Sequence, residues 1–247
     1  MSGSHSQRPC WFLMKKTALD FMHCIFLGII CHLFMKILFA AYMFPGTGGN
    51  QSPKCCFEDL INSVQWPSHI TRLPKNLGEN QTLKKANEWR CILTIMPVLL
   101  WWSWRDVRDL VPNEDPPLPP NMQPPNSSQN CCAIYDTVLL LCVGVWILAS
   151  CKISMAQVQV GQMFLSQYCL HCLQLGVHLT INHHASMHIS AMRKQFGPVY
   201  SWWLFAFEHF NALEHVIKAQ ASDCGAMMTQ IAVYQSEAAQ DNVRLPL

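Results

Sequence analysis

Charged side chains are few: Asp, Glu, Lys and Arg make up 13% of the 247 residues, 17 basic against 15 acidic. A net charge of +2 excludes a strongly cationic nucleic-acid coat protein, because salt-dependent phosphate binding needs a basic stripe that dominates the field. Any DNA contact must therefore be local. Low charge combined with 51% hydrophobic and 11% aromatic residues also excludes a disordered chain. Glycine is sparse, with 11 residues, and neither alternating strand-like runs nor an internal repeat occurs. A mainly α fold is expected. No small-residue cleavage site follows a clean apolar stretch near the N-terminus, so a secretory signal peptide is not expected.

Long uninterrupted apolar runs are lacking too. Runs at 21–35, 91–104 and 137–151 are bounded by Asp20 and Lys36, by Arg90 and Arg105, and by Asp136 and Lys152. Each holds roughly 14 or 15 uncharged residues, where a bilayer span needs about 20. The first also carries His23 and His32. At about 100° per residue Asp20 and His23 share one side of a helix, and His32 and Lys36 another, which is costly in lipid but readily paired inside a protein. Buried core helices are expected. Residues 137–151, lengthened by 133–135, keep one or two short membrane spans as an alternative.

What the chain does have is cysteine, 13 residues, and proline, 15. The cysteines are odd in number and scattered through apolar runs (Cys24, Cys31, Cys91, Cys142), which points to a reducing compartment and not to a disulfide framework. The vicinal pairs Cys55-Cys56 and Cys131-Cys132 are expected to stay unpaired, because adjacent cysteines bridge only with strain. Hydrophobic periodicity places helical blocks at about 15–43, 57–66, 82–110, 133–178 and within 183–238. The first stops at Phe44-Pro45-Gly46, and Pro97 predicts a kink or break in the third. Between them, 111–130 is rich in Pro, Asn and Ser, a linker or a surface loop with Pro-x-x-Pro spacing at Pro116 to Pro119. Three regions follow: 1–110, 111–130 and 131–247.

Three constellations carry chemical possibilities. Cys169 and Cys172, with His184 and His188, have the residue types of a tetrahedral zinc site. About 11 residues separate Cys172 from His184, one short of finger spacing, and the thiols lie in an apolar helix where cysteine acts as a small hydrophobe. Asp20 and His23 stand at i and i+3, close enough to pair; a helix-starting Asp beside a core histidine is the simpler account. Glu208 sits among aromatics in 196–211, with Ser201 as a candidate N-cap upstream. A carboxylate there must be paired, protonated or bound to a cation, and a salt bridge to a neighbour such as Arg193 or Lys194 is the simpler account.

Five separated blocks, in order, resemble CACTA-type (En/Spm) DNA transposases of the fungal form. They are Asp20-Phe21-Met22-His23-Cys24-Ile25-Phe26-Leu27-Gly28, Leu73-Pro74-Lys75-Asn76-Leu77-Gly78, Leu83-Lys84-Lys85-Ala86-Asn87-Glu88-Trp89-Arg90, His183-His184 with His188, and Gly197-Pro198-Val199-Tyr200-Ser201-Trp202-Trp203 through Phe207-Glu208. The resemblance covers the C-terminal half of such an enzyme. It implies a ribonuclease-H-like core interrupted by a helical insertion, here with the sheet largely missing, and metal-dependent DNA strand cleavage and transfer as the parent reaction. Two aspartates and a glutamate hold two divalent metals, Mg²⁺ or Mn²⁺, in that family, because two metals bridge the attacking and leaving oxygens of in-line phosphoryl transfer. By resemblance Asp20 and His23 match the Asp-x-x-His signature, Glu208 matches the glutamate, and Glu208 and Asp20 are inherited metal positions. His209 and Ala212 replace the family's Arg and Gly. The chain starts just before Asp20, so the resemblance implies that at least one catalytic aspartate is absent and that the polypeptide is a truncated, inactive fragment. By resemblance its partners would be transposon-end DNA or a full-length transposase; an alternative is a transposon-derived helical interaction module that associates with either one, through Lys84, Lys85 and Arg90 with Lys75, Arg105 and Arg108. Its location would be the nucleus, or a membrane under the alternative reading; a solvated face is the simpler account of those charges.

Overall fold

The computed structural model of the protein describes residues 18–45, 52–66 and 85–205. Among them no strand occurs. The elements are α1 (Met22–Phe39), α2 (Pro53–Ser63), α3 (Ala86–Trp104), α4 (Cys131–Leu148), α5 (Met155–Gln174), α6 (Ile181–Ser186), α7 (Ile189–Phe196) and a 3₁₀ turn at Val199–Ser201. The chain is mainly α, as its composition implies. Up to Leu204 the described residues form one compact unit.

The core is built on α1. Phe21, Met22, Ile25, Ile29, Ile30, Leu33, Phe34 and Leu38 are all fully buried. Burying a side chain of this size contributes about 1.5–3 kcal/mol, so this helix dominates the apolar stabilisation of its region. It is wound mostly as π-helix, over Met22–Ile30 and Leu33–Phe39, and the amide N–H groups of Ala40 and Met43 reach back to Met35 and Leu38 at 3.2 and 2.9 Å. The burial pattern matches the wider turn. Less buried positions such as His23, Leu27, Cys31, Lys36 and Ala40 recur about every four residues, longer than an α-helical turn. His23 and Lys36, assigned to different sides at 3.6 residues per turn, therefore fall along one less buried stripe. Tyr42, at φ 56, turns the chain away after α1.

Side-chain caps start the other long helices. The Ser52 hydroxyl accepts from the Cys55 N–H at 3.2 Å, with Pro53 opening α2. The Glu88 carboxylate accepts from the Lys85 N–H at 3.0 Å at the head of α3. Asn130 accepts from Ala133 at 2.9 Å, and Ser154 with Gln157 forms a reciprocal box at α5. Each such cap satisfies a helix N–H that would otherwise lack a partner.

α3 runs through Pro97 without ending. Proline has no N–H to give the Leu93 carbonyl, and the Cys142 thiol of α4 lies 3.7 Å from that oxygen as its donor. Burial pushes the Cys142 thiol up to about 12, which keeps its proton in place. α4 and α5 then pack as a close antiparallel pair. A Cβ on Gly144 would lie 3.2 Å from the Gly161 carbonyl and the Leu165 N, and one on Gly161 2.8 Å from Leu148. The proline-rich stretch 111–130 is irregular, and both of its ends are fastened. Cys131 and Cys132 donate back to Glu114 and Pro112, Ser128 donates to Leu175, and the Gln129 amide donates to the Ala41 carbonyl at 2.6 Å.

Three outcomes follow for urea unfolding. Cys142→Ala should destabilise the protein by about 1–3 kcal/mol, because a buried carbonyl loses its donor. In a Pro97→Ala background, which restores the helical N–H, the same change should cost clearly less; equal costs in both backgrounds would show that the thiol does not serve Leu93. Gly144→Val should cost about 1–3 kcal/mol by forcing α4 and α5 apart.

Candidate functional site: the Asp20 corner

The Asp20 carboxylate stands just before α1 and is bound on both oxygens. Oδ1 accepts from the Met22 N–H at 3.2 Å and Oδ2 from the His23 N–H at 3.0 Å, which caps the helix. His23 Nδ1 also pairs with Oδ2. Oδ1 takes a further bond, from the Leu204 N–H at 3.0 Å. A carboxylate offers about four lone-pair directions, and four protein donors occupy them here. The corner is thus a junction between the first helix and the segment that follows α7.

That segment folds on itself before it arrives. Gly197 ends α7 at φ 83, a conformation that costs a residue with a Cβ. The Ser201 hydroxyl donates to the Pro198 carbonyl at 2.6 Å, and the Trp202 indole N–H donates to the Gly197 carbonyl at 3.1 Å. Trp202 meets Phe21 edge to face at 6.2 Å. Arg90 of α3 lies over the Trp203 ring at 6.0 Å. The Leu19 N–H, on the other flank of Asp20, contacts the Met192 sulfur at 3.3 Å.

α6 closes the same region from a third side. Gly28 is needed there, since a Cβ would lie 2.4 Å from the Asn182 amide nitrogen. The Cys24 thiol donates to the Asn182 carbonyl at 3.3 Å. Burial first, then the neighbouring Asp20 charge, pushes that thiol up to about 12, so it remains a donor. Beside the corner, a cleft of about 570 Å³ is lined mostly by apolar groups, including Phe26, Leu93, Trp146 and Trp203, with Arg90 at its wall. Residues from four of the five sequence blocks therefore meet: Asp20 to Gly28, Arg90, the His183 helix, and Gly197 to Trp203.

The other predicted site residues fall as follows. Glu208, Lys84 and Lys75 lie outside the described residues. Lys85 is exposed and begins α3. Arg105 pairs with Asp109 and covers the Trp101 and Trp102 rings, and Arg108 pairs with Asp106. The N–H groups of Leu110 and Arg108, with the Arg108 guanidinium, hold the Asp106 carboxyl below its usual range. Those two arginines are used locally. Cys169 and Cys172 are buried, with thiols pushed up to about 11 and about 12 chiefly by burial. His184 and His188 are exposed, their rings edge to face at 5.2 Å. Among the described residues no group of three or more His, Cys, Asp or Glu side chains is placed to hold a metal. The donor set at Asp20 does not fit Mg²⁺ or Mn²⁺ in this arrangement, because protein N–H groups and His23 already occupy the carboxylate.

Asn182, Met192 and the Leu204 amide are the residues that sequence reasoning missed. One signal was available: a glycine inside a strongly apolar helix marks a close approach, and Gly28 is such a residue. Asp20→Ala should lower stability by about 1–2 kcal/mol, the range for a lost helix cap, and should shift tryptophan emission to the red as the segment at Trp202 loosens. Gly28→Ala should destabilise the fold, and Asn182→Ala should relieve only part of that cost, because the Cβ at position 182 would still lie 2.9 Å away.

No family model, no curated protein and no solved structure matches this chain.

Proposed function

We propose that the chain is a transposon-derived polypeptide of the CACTA type whose helical unit is a non-catalytic scaffold, the counterpart of the helical insertion in the parent enzyme. The single observation that carries this reading is the Asp20 to Leu204 hydrogen bond, 3.0 Å across 184 residues. It joins the Asp-x-x-His block to the end of the Gly-Pro-Val-Tyr-Ser-Trp-Trp block, two landmarks that the resemblance alone relates. The filled coordination of Asp20 supports a structural over a catalytic role for that carboxylate. The parent reaction would need Mg²⁺ or Mn²⁺, and no step of it is assigned to these residues. The partner under this reading is a full-length transposase, in the nucleus. Direct DNA contact has less support, since Arg105 and Arg108 are each paired with an aspartate.

The purified chain, mixed with transposon-end DNA and Mg²⁺ or Mn²⁺, should leave the DNA uncut, and an immobilised chain should retain a full-length transposase of the same type. Nicking by the chain alone that stops on chelation would contradict the scaffold reading, as would failure to retain the transposase.

A second reading has one specific observation behind it. Met22–Phe39 and Cys131–Leu148 are long and apolar enough to cross a membrane, with 56% and 44% of each buried inside the protein, and Trp146 on α4 is 76% exposed. Under that reading the chain stays in membranes washed with alkaline carbonate; under the scaffold reading it leaves them.

A further inference from the structure

α6 is fastened to α1 by Gly28 against Asn182, by the Cys24 thiol on the Asn182 carbonyl, and by His32 against His183. The third contact differs in kind, because both rings titrate. The imidazoles meet edge to face, with centroids 5.2 Å apart. His183 is 1% exposed. The Thr180 N–H donates to its Nδ1 at 3.0 Å, and the Thr180 hydroxyl lies 2.9 Å from the same atom. Nδ1 therefore carries a lone pair, and neutral His183 bears its proton on Nε2. His183 Nε2 and His32 Nδ1 are buried and make no hydrogen bond. His183 also occupies the position that Glu or Gln takes in an ordinary capping box, so it holds the start of α6.

The surroundings that the structure describes offer a cation no carboxylate. From α1, His32 faces His183, and the Lys36 charge acts on His32. From α5, Tyr168 stacks on the His183 ring at 5.9 Å, with Cys172 and Cys169 beside Tyr168. Burial raises all three of those groups, so they stay neutral. Among the described residues neither imidazole forms an ion pair with Asp or Glu. A second proton on His183 would go to Nδ1, where it would displace the bond from the Thr180 N–H and leave the Thr180 hydroxyl as its nearby acceptor, in a buried site beside a second basic ring.

We propose that His183 and His32 form an acid-sensitive latch: neutral rings hold α6 on α1, and protonation of His183 releases α6 and uncovers the Cys24 flank of the Asp20 corner. The direction is set by burial first and His32 second, which lower His183 from 6.5 to about 4. The fold thus favours the neutral ring. The contribution of the latch is complete above about pH 6.5 and is lost as pH falls through 6.5 toward 4, by up to about tenfold per pH unit for one linked proton.

The test is hydrogen exchange of the full chain between pH 4 and 7.5, corrected for the intrinsic pH dependence of exchange and read separately at 181–186 and at α4 and α5. The wild type should lose protection at 181–186 on acidification while α4 and α5 keep theirs. H183Q, which keeps the capping acceptor without a titrating ring, should show a flat profile at 181–186. Equal protection of 181–186 at both ends of the range, or the same acid transition in H183Q, would overturn the proposal. Should H183Q not fold, the wild-type profile decides: loss confined to 181–186 supports the latch, and simultaneous loss in α4 and α5 overturns it.

Discussion

One carboxylate organises the described fold. Asp20 caps α1, orients His23 and receives the Leu204 amide, so the first helix and the segment after α7 share a fixed point. Hydrogen bonds to a charged acceptor contribute about 1.5–3 kcal/mol where neutral ones contribute about 1. The same satisfaction removes Asp20 from consideration as an open metal ligand in this arrangement. The residue that the family resemblance marks for chemistry is used here for architecture.

A chain with so few charges settles most of its buried polar groups by neutral means. The Trp104 indole N–H donates to the Met43 carbonyl at 3.0 Å, and Gln129 holds the Ala41 carbonyl. Gln162, nearly buried on α5, donates to the Ser186 carbonyl and accepts from the Ser190 N–H, so one side chain fastens the join between α6 and α7. Cys142 serves the carbonyl that Pro97 leaves without an N–H, and Cys24 serves Asn182. Arg193, 6% exposed, turns its guanidinium to the Leu148 and Ser150 carbonyls at the end of α4. Thiols, amides and indoles do the work that ion pairs do in more highly charged proteins, because an unpaired buried polar group costs about as much as a lost hydrogen bond.

Much of the helical layout was legible in the sequence, for identifiable reasons. The blocks read from periodicity at about 82–110 and 133–178 contain α3 and the α4–α5 pair, although the break between α4 and α5 was not foreseen, and the Pro-rich stretch announced the irregular 111–130. The π winding of α1 was not legible, because a window tuned to 3.6 residues per turn cannot register a stripe that repeats about every four. Continuity through Pro97 was hidden for another reason: the partner of the freed carbonyl, Cys142, lies in a different helix. The zinc reading paired Cys169 and Cys172 with His184 and His188 by spacing, whereas the fold buries the thiols and exposes those two rings. His183, one residue away, is the buried histidine, and only the packing of α6 on α1 distinguishes it. Four of the five blocks have residues that meet in the fold, whereas the block Leu73 to Gly78, together with Lys84 and Glu208, lies outside the described residues.

The central claim is that Asp20 is a structural acceptor for Leu204. Its most direct test is to follow the Leu204 amide and the His23 ring by NMR while Mn²⁺ is added to the full chain. If the carboxylate is occupied as described, the Leu204 amide exchanges slowly and neither signal broadens at submillimolar Mn²⁺. A rapidly exchanging Leu204 amide, or selective broadening of both signals by Mn²⁺, would contradict the account and return Asp20 to the role of a metal ligand.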